Sequence, residues 1–338
     1  MENIGCYRDT CKNTGEYREP IDPGFSLDRV PELVPGRSDL LQKQNDYTTP
    51  GRETPMHRII DWNELWKAIY ASSPDRVEKG HDPAAHWNKR AAAYRRATRD
   101  EKRATEQELA ILDLAAGETV LDVGAGTGGR LAVPIARTAA HVTALDPPSE
   151  GMLAVLREQM AAAGGRTNYS TITLRWEDTV IGRDVEPPHD VVVAAFSLGF
   201  YDLDAALEKL DAAARRVVYL FWHAGEWRDP DEMALYRAVF GEEATMRKGY
   251  PDYIYPVNIL HDAGIYPNVR IYRAAWDAVY DSVEDAAGAW AAMHNPGMED
   301  LSPVRDYFAR VLRTTGSGKY VETTVRPTAA VWWEKVDG

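Results

Sequence analysis

The chain has 338 residues, is 44% hydrophobic with ten tryptophans, and carries a formal net charge of −13, so it can enclose a sizeable core as one large or two small domains. The acidic balance counts against a general nucleic-acid binder, which needs a cationic footprint. Its two cysteines, Cys6 and Cys11, can build neither a disulfide framework nor a cysteine-rich zinc site. With no apolar stretch of about 18 residues and no signal-like apolar region in residues 1–30, no membrane partner is expected and the expected location is cytoplasmic.

Residues 1–55 are polar, rich in Pro, Gly, Asp and Arg, and without a sustained period; a flexible N-terminal extension is expected there. Met56, just ahead of the first helical pattern, is a candidate start. A helical cap is expected over 56–116. In it Trp62, Leu65, Trp66 and Ile69 recur at helical spacing over 59–71, behind a capping-box-like Asp61 and Glu64. A second helix over 84–116 places Trp87, Ala91 and Tyr94 on one face, flanked by Arg90, Arg95 and Arg96.

The most informative run follows. Val120, Leu121 and Val123 form an apolar strand that enters Gly124, Ala125, Gly126, Thr127, Gly128 and Gly129, and a helical pattern covers 131–139. Glycines here let the backbone turn sharply and leave no side chain between it and a ligand. Asp122 stands two residues ahead of the first glycine. Read alone, the run also satisfies G-x-G-x-x-G through Gly124, Gly126 and Gly129, which fits a dinucleotide site or a purely structural strand–turn–helix.

Strands and helices then alternate. A strand from His141 to Leu145 ends at Asp146, whose carboxylate can accept both hydroxyls of a ribose or, alternatively, cap the next helix. That helix, 149–163, stops at Gly164-Gly165. A strand over 171–175 leads to Trp176, Glu177 and Asp178. A strongly apolar strand over 190–196, a helix over 202–214 and a strand over 216–222 follow. This alternation implies a parallel sheet with helices on both faces. From about 226 the rhythm breaks into an aromatic helical stretch (230–262), a strand (268–276), a helical stretch (282–313) and a last strand over 319–336 that contains Trp332 and Trp333.

Asp122-Val123-Gly124-Ala125-Gly126-Thr127-Gly128 resembles motif I, D/E-x-G-x-G-x-G, of the class I S-adenosylmethionine (SAM) methyltransferases. Trp87–Tyr94 resembles the W/F-x-x-x-A-x-x-Y segment ahead of that motif in the small-molecule members. Pro147-Pro148-Ser149-Glu150-Gly151-Met152-Leu153 resembles their D-x-S-x-x-M-L segment with one residue more. The likeness covers 84–225 by motif and 265–336 by pattern. It implies an α/β fold over 117–338: a seven-stranded doubly wound sheet, mostly parallel with an antiparallel terminal strand, and helical insertions at about 226–264 and 282–313, after strands five and six. It implies SAM as cofactor, held by Asp122, the Gly124, Ala125, Gly126 and Gly128 loop, Asp146, Pro147 and Met152, the last packed on adenine. Glu177, with Asp178 as second choice, would accept the adenine amino group. Trp176 would stack on the base or serve as core, and the backbone carbonyl of Phe196 or Ser197 would hold the methionine amino group. An NAD-dependent oxidoreductase and a catalytically degenerate SAM-binding scaffold subunit are the alternatives.

For the methyl acceptor, Phe196-Ser197-Leu198-Gly199 stands where adenine- and glutamine-directed members carry N/D-P-P-Y/F/W, and no cysteine falls within the fold. A small molecule is the leading acceptor, a protein side chain the second. Tyr201 and Asp202 after strand four, and Trp222 and His223 after strand five, occupy carboxyl ends of strands, where open α/β sheets bind ligands. His223 is the candidate general base, its ordinary pKa being near neutrality; Tyr201 and Tyr94 complete the catalytic candidates. Tyr250, Tyr253 and Tyr255 are expected in a lid. The histidines show no metal-ligand spacing.

Overall fold

Three consecutive valines, Val191 to Val193, none more than 1% exposed, lie at the centre of a sheet buried on both faces. In a computed structural model the described residues are 60–72, 83–148, 150–186, 188–225, 229–241, 252–295 and 297–335. The expected extension 1–55, the candidate start at Met56 and Tyr250 lie outside them. The strands are β1 (Thr119–Val123), β2 (His141–Asp146), β3 (Tyr169–Thr173), β4 (His189–Ala195), β5 (Ala214–His223), β6 (Asn268–Tyr280), the two-residue β7 (Arg313–Thr314) and β8 (Tyr320–Glu334). Their order is β3-β2-β1-β4-β5-β8-β6, with β7 on β8. β1 to β5 run parallel, and β8 is antiparallel to both of its long neighbours. The seven long strands and the reversed terminal one match expectation; β7 is additional.

Alternate residues of each strand feed opposite cores. On one face Leu121, Val192, Leu220 and Trp222 pack with α1 (Trp62–Ser72), α6 (Leu203–Ala213) and α8 (Ile254–Asp262). On the other Val120, Val193 and Phe221 meet the short α4 (Ala132–Ile135) and α5 (Glu150–Ala162). The expected N-cap of α1 forms, Asp61 Oδ1 accepting from the Asn63 and Glu64 amides at 3.1 and 3.0 Å.

Several boundaries differ from expectation. The single helix expected over 84–116 is two, α2 (Pro83–Thr98) and α3 (Lys102–Leu109). A turn at 99–101, closed by Glu101 N–H to Thr98 O at 3.3 Å, separates them. β3 starts two residues early because its pairing with β2 begins at Val142↔Tyr169. The helix expected over 131–139 continues past α4 only as turns. The stretch 230–262 holds α7 (Pro230–Phe240) and α8, and 282–313 holds α9 (Val283–His294) and α10 (Ser302–Val311). Tyr253 and Tyr255, expected in a lid, are partly buried and pack against the first core, the Tyr255 ring lying 5.8 Å from Trp62 and 6.1 Å from Trp66.

One feature of register positions everything above the sheet. β5 ends at His223↔Thr328, yet β6 and β8 stay paired from Tyr272↔Thr328 on to Tyr280↔Tyr320. Residues 273–280 and 320–327 therefore form a ribbon, two-stranded except at its tip where β7 joins, reaching roughly 25 Å beyond the carboxyl edge of the parallel strands, at about 3.3 Å per residue. A third core, with Tyr280, Trp290, Tyr307 and Phe308 at its centre and Leu235 from α7, forms on that ribbon. Such a ribbon is marginal without a packed face. Phe308→Ala, at a side chain 1% exposed, should cost about 3–5 kcal/mol in urea unfolding. Hydrogen exchange should place the lost protection in 283–311 and leave β1 and β4 unchanged; uniform loss would contradict a separate core.

Candidate active site

The glycine run folds into a loop at the carboxyl edge of β1. Gly124 has φ +77° and Gly126 φ +55°, both in the region that favours glycine. A Cβ on Gly124 would stand 2.3 Å from the Ser197 Cβ, so only glycine lets the end of β4 approach. The Gly124 and Ala125 amides both donate to Leu145 O, at 2.7 and 3.0 Å. The Gly126 amide donates to Asp146 Oδ1 at 3.0 Å, fastening the loop to the end of β2. Met152 lies beneath, its Cε 3.5 Å from where a Gly126 Cβ would be, and Pro147 is half-buried directly after β2.

Two enclosed carboxylates face this loop. Asp146 is 6% exposed and Asp122 3%. Burial, and then the charge of Asp146, push the Asp122 carboxyl up to about 7, against a hydrogen bond from the Ala132 amide at the head of α4.

Opposite them stands Phe196, the one non-glycine residue with positive φ (53°) among those described; that conformation costs about 1–2 kcal/mol. Its amide donates to Phe221 O at 2.9 Å. Its ring centroid is 5.2 Å from His223, 6.3 Å from Trp222 and 5.3 Å from Trp276 of the ribbon.

Arg130, immediately after the glycines, connects these parts. Its guanidinium lies 4.8 Å from the Phe196 ring centroid and 4.1 Å from that of Trp276. It pairs with Glu101 at 2.8 Å and with the fully buried Glu108 at 3.0 Å. Burial works against the Arg130 charge, and the two glutamates more than offset it. Burial also raises both glutamates, Glu101 to about 7, while Arg130 opposes the shift. Tyr94 sits beside the same guanidinium, its hydroxyl pKa raised by burial and lowered by Arg130, and its ring is 5.4 Å from Trp87. Trp276 and Glu101 also border a cavity of about 180 Å³ between the ribbon and α7, α9 and α10.

The structure thus gathers Asp122, the glycine loop, Asp146 and Met152 at one end, and Phe196, His223 and Tyr94 at the other. Glu177 and Asp178 lie exposed after β3, where Lys209 Nζ meets the Trp176 and Glu177 carbonyls at 2.7 and 2.9 Å. Trp176 itself is 1% exposed and its indole donates to Ala206 O at 3.2 Å, so its ring is committed to the core and cannot stack on a base. Tyr201 is 53% exposed, against Tyr70 and Lys67 of α1, apart from the Phe196 cluster. Asp202 caps α6 through the Ala205 amide at 3.1 Å. Arg130, Glu101, Glu108 and Trp276 were not expected in the site. The available signal was an arginine directly after the glycines and two glutamates seven residues apart, a spacing that would place them on one face of the single helix expected there.

Arg130→Ala leaves two buried carboxylates without their cation and should cost about 3–5 kcal/mol in urea unfolding, partly restored by adding Glu108→Gln; a loss under about 1 kcal/mol would contradict the pairing. Asp122 makes stability depend on pH. Below about pH 4 its carboxyl is neutral folded or unfolded; between about 4 and 7 only the unfolded chain releases the proton, so stability falls as pH rises, and above about 7 the loss is constant. The advantage of Asp122→Asn over the parent chain should therefore grow by up to about 1.4 kcal/mol per pH unit between pH 5 and 7 and then level off. Parallel stability–pH curves would contradict it.

No family model matches the chain. A curated relative, an uncharacterized protein of Haemophilus influenzae, is 28% identical over 260 residues, 74% of this chain and 89% of that one. Among solved structures, a SAM-dependent methyltransferase from Thiobacillus denitrificans in complex with S-adenosyl-L-homocysteine is 15% identical, covering 74% of this chain and 98% of that one with TM-score 0.43. Magnesium protoporphyrin IX methyltransferase from Synechocystis PCC 6803, with bound S-adenosylhomocysteine, is 16% identical, covering 79% and 93% with TM-score 0.40. Precorrin-6y C5,15-methyltransferase from Geobacter metallireducens is 15% identical, covering 68% and 88% with TM-score 0.40. By its own strand order, with β8 reversed between β5 and β6 and a glycine loop following β1, the chain has a doubly wound, Rossmann-like α/β fold.

Proposed function

We propose that the chain is a SAM-dependent methyltransferase whose acceptor is a small molecule. One observation carries this reading: the glycine loop lies between two enclosed carboxylates, with the Gly126 amide bonded to Asp146 and Asp122 at the head of α4. The loop sits beside the boundary between β1 and β4, where the strand order reverses and ligands of open α/β sheets bind. A dinucleotide would bring a pyrophosphate to the helix N-terminus after the glycines. Here Asp122 occupies that N-terminus, and Asp146, whose charge already holds the Asp122 carboxyl up, opposes a further anion. A nucleoside carrying positive charge on a sulfonium and an ammonium suits the same electrostatics. The sheet agrees: dinucleotide folds continue 3-2-1-4-5-6, whereas β8 intervenes here.

In this reading Asp146 takes the ribose hydroxyls and Met152 packs against the base. Glu177 or Asp178 receives its amino group. The Phe196 carbonyl, just past the end of β4, accepts from the methionine ammonium. SAM supplies a methyl group already activated by the positive sulfur, so the protein mainly aligns the acceptor and excludes water. The Phe196, Trp276 and Tyr94 rings form the water-excluding wall. His223, adjoining Phe196, takes a proton where the acceptor must lose one. The 180 Å³ cavity bordered by Trp276 has room for a small acceptor.

Calorimetry on the full chain tests the cofactor. S-Adenosylhomocysteine should bind and NADH should not, and Asp146→Ala should weaken S-adenosylhomocysteine by about tenfold or more, the worth of a hydrogen bond to a charged group. Preference for NADH, or an affinity indifferent to Asp146→Ala, would overturn the reading.

A further inference from the structure

The cavity beneath the ribbon has a chemistry of its own. Its walls are the rings of Trp276, Tyr280, Trp290, Tyr307 and Phe308, and its volume is about 180 Å³. A cavity of about 150 Å³ accepts a benzene-sized guest, so this one has room for one ring and a short chain. Ring faces attract cations through their quadrupole.

The charged groups around it are unbalanced. Glu101, Glu232, Glu322 and Asp277 reach the cavity, with Arg326 as the guanidinium among its lining residues. Arg103 holds Asp277 by two contacts of 2.6 Å. Arg130 serves Glu101 and Glu108 together. Arg326 lies 4.0 Å from Glu232, and Tyr307 donates to Glu322 at 2.8 Å. Four carboxylates, one guanidinium and His294 thus line the cavity, while Arg103 pairs with Asp277 and Arg130 with Glu101 and Glu108.

We propose that this cavity binds the ammonium group of an organic amine, making the methyl acceptor an amine whose apolar body is about the size of one ring. The assignment rests on the methyltransferase reading, because Trp276 belongs both to this cavity and to the wall of the cofactor site, and Glu101 of the cavity pairs with Arg130 behind that wall. Burial holds Glu232 at about 7 and raises Glu322, with Arg326 opposing both shifts. A cation entering between them favours their ionised forms, an anion meets repulsion, and a neutral guest gains only the rings.

The test uses three probes of one shape: phenethylamine, 2-phenylethanol and 3-phenylpropionate, titrated by calorimetry into the full chain with and without S-adenosylhomocysteine. Phenethylamine should bind about tenfold more tightly than the alcohol, and 3-phenylpropionate more weakly than either. Glu232→Gln and Glu322→Gln should each reduce the amine-over-alcohol ratio by about threefold or more, with thermal unfolding confirming that each variant folds. Where one does not fold, the other decides, with Trp290→Leu as a third variant that should weaken amine and alcohol alike. Equal or tighter binding of the carboxylate, absence of amine binding, or a preference that survives the substitutions would overturn the proposal. S-Adenosylhomocysteine binding without amine binding refutes this inference alone. Amine binding without S-adenosylhomocysteine refutes the cofactor reading and leaves the cavity assignment standing.

Discussion

The buried guanidinium of Arg130 is the constraint on which the upper half of this protein depends. It follows the glycine loop directly, pairs with Glu101 and Glu108 of the segment at α3, and lies between the Phe196 ring at the end of β4 and the Trp276 ring of the ribbon. Segments far apart in sequence thereby share one charge. A buried ion group of this kind adds little net stability compared with an apolar replacement, but it cannot be half made, since a missing partner leaves an uncompensated charge. Position, more than stability, is what such a group imposes. The turn at 99–101 that ends α2 sets Glu101 and Glu108 on the face that meets Arg130, and the close approach of Ser197 to Gly124 keeps Phe196 over the loop.

Charge also separates the two nucleotide chemistries that a glycine loop can serve. The backbone of such a loop accommodates a pyrophosphate or a nucleoside equally well. In the proposed reading Asp146 and Asp122, both nearly inaccessible, make the difference: an anion beside them would hold Asp122 neutral and meet Asp146, whereas a cation favours the ionised form of both. Above the sheet the ribbon of β6 and β8 extends the same logic. In the proposed reading it carries aromatic walls and carboxylates to the acceptor side, so that both halves of the site would favour positively charged ligands.

Much of this was readable in the sequence. Apolar strands at regular spacing, the glycine run, and Asp146 at a strand end are local signals, and local signals survive folding. Other features were not readable, for physical reasons. The break at 99–101 lies in a run without proline or glycine, beside the tertiary pairing of Glu101 and Glu108 with Arg130, so no local signal marks it. Trp176 carries the same sequence signal whether it stacks on a base or fills a core, and only its contact with Ala206 decides. The length of the ribbon depends on register between strands forty residues apart and more, which no local pattern records. Tyr255 looked like part of a lid because it is aromatic and follows a break in rhythm, yet Trp62 and Trp66 provide the face it packs on.

A crystal structure of the chain grown with S-adenosylhomocysteine examines the central claim most directly. The expected result is a ribose whose hydroxyls lie within hydrogen-bond distance of Asp146, with the amino-acid end directed to the Phe196 carbonyl. A ligand seated away from the glycine loop, or a ribose turned from Asp146, would contradict it.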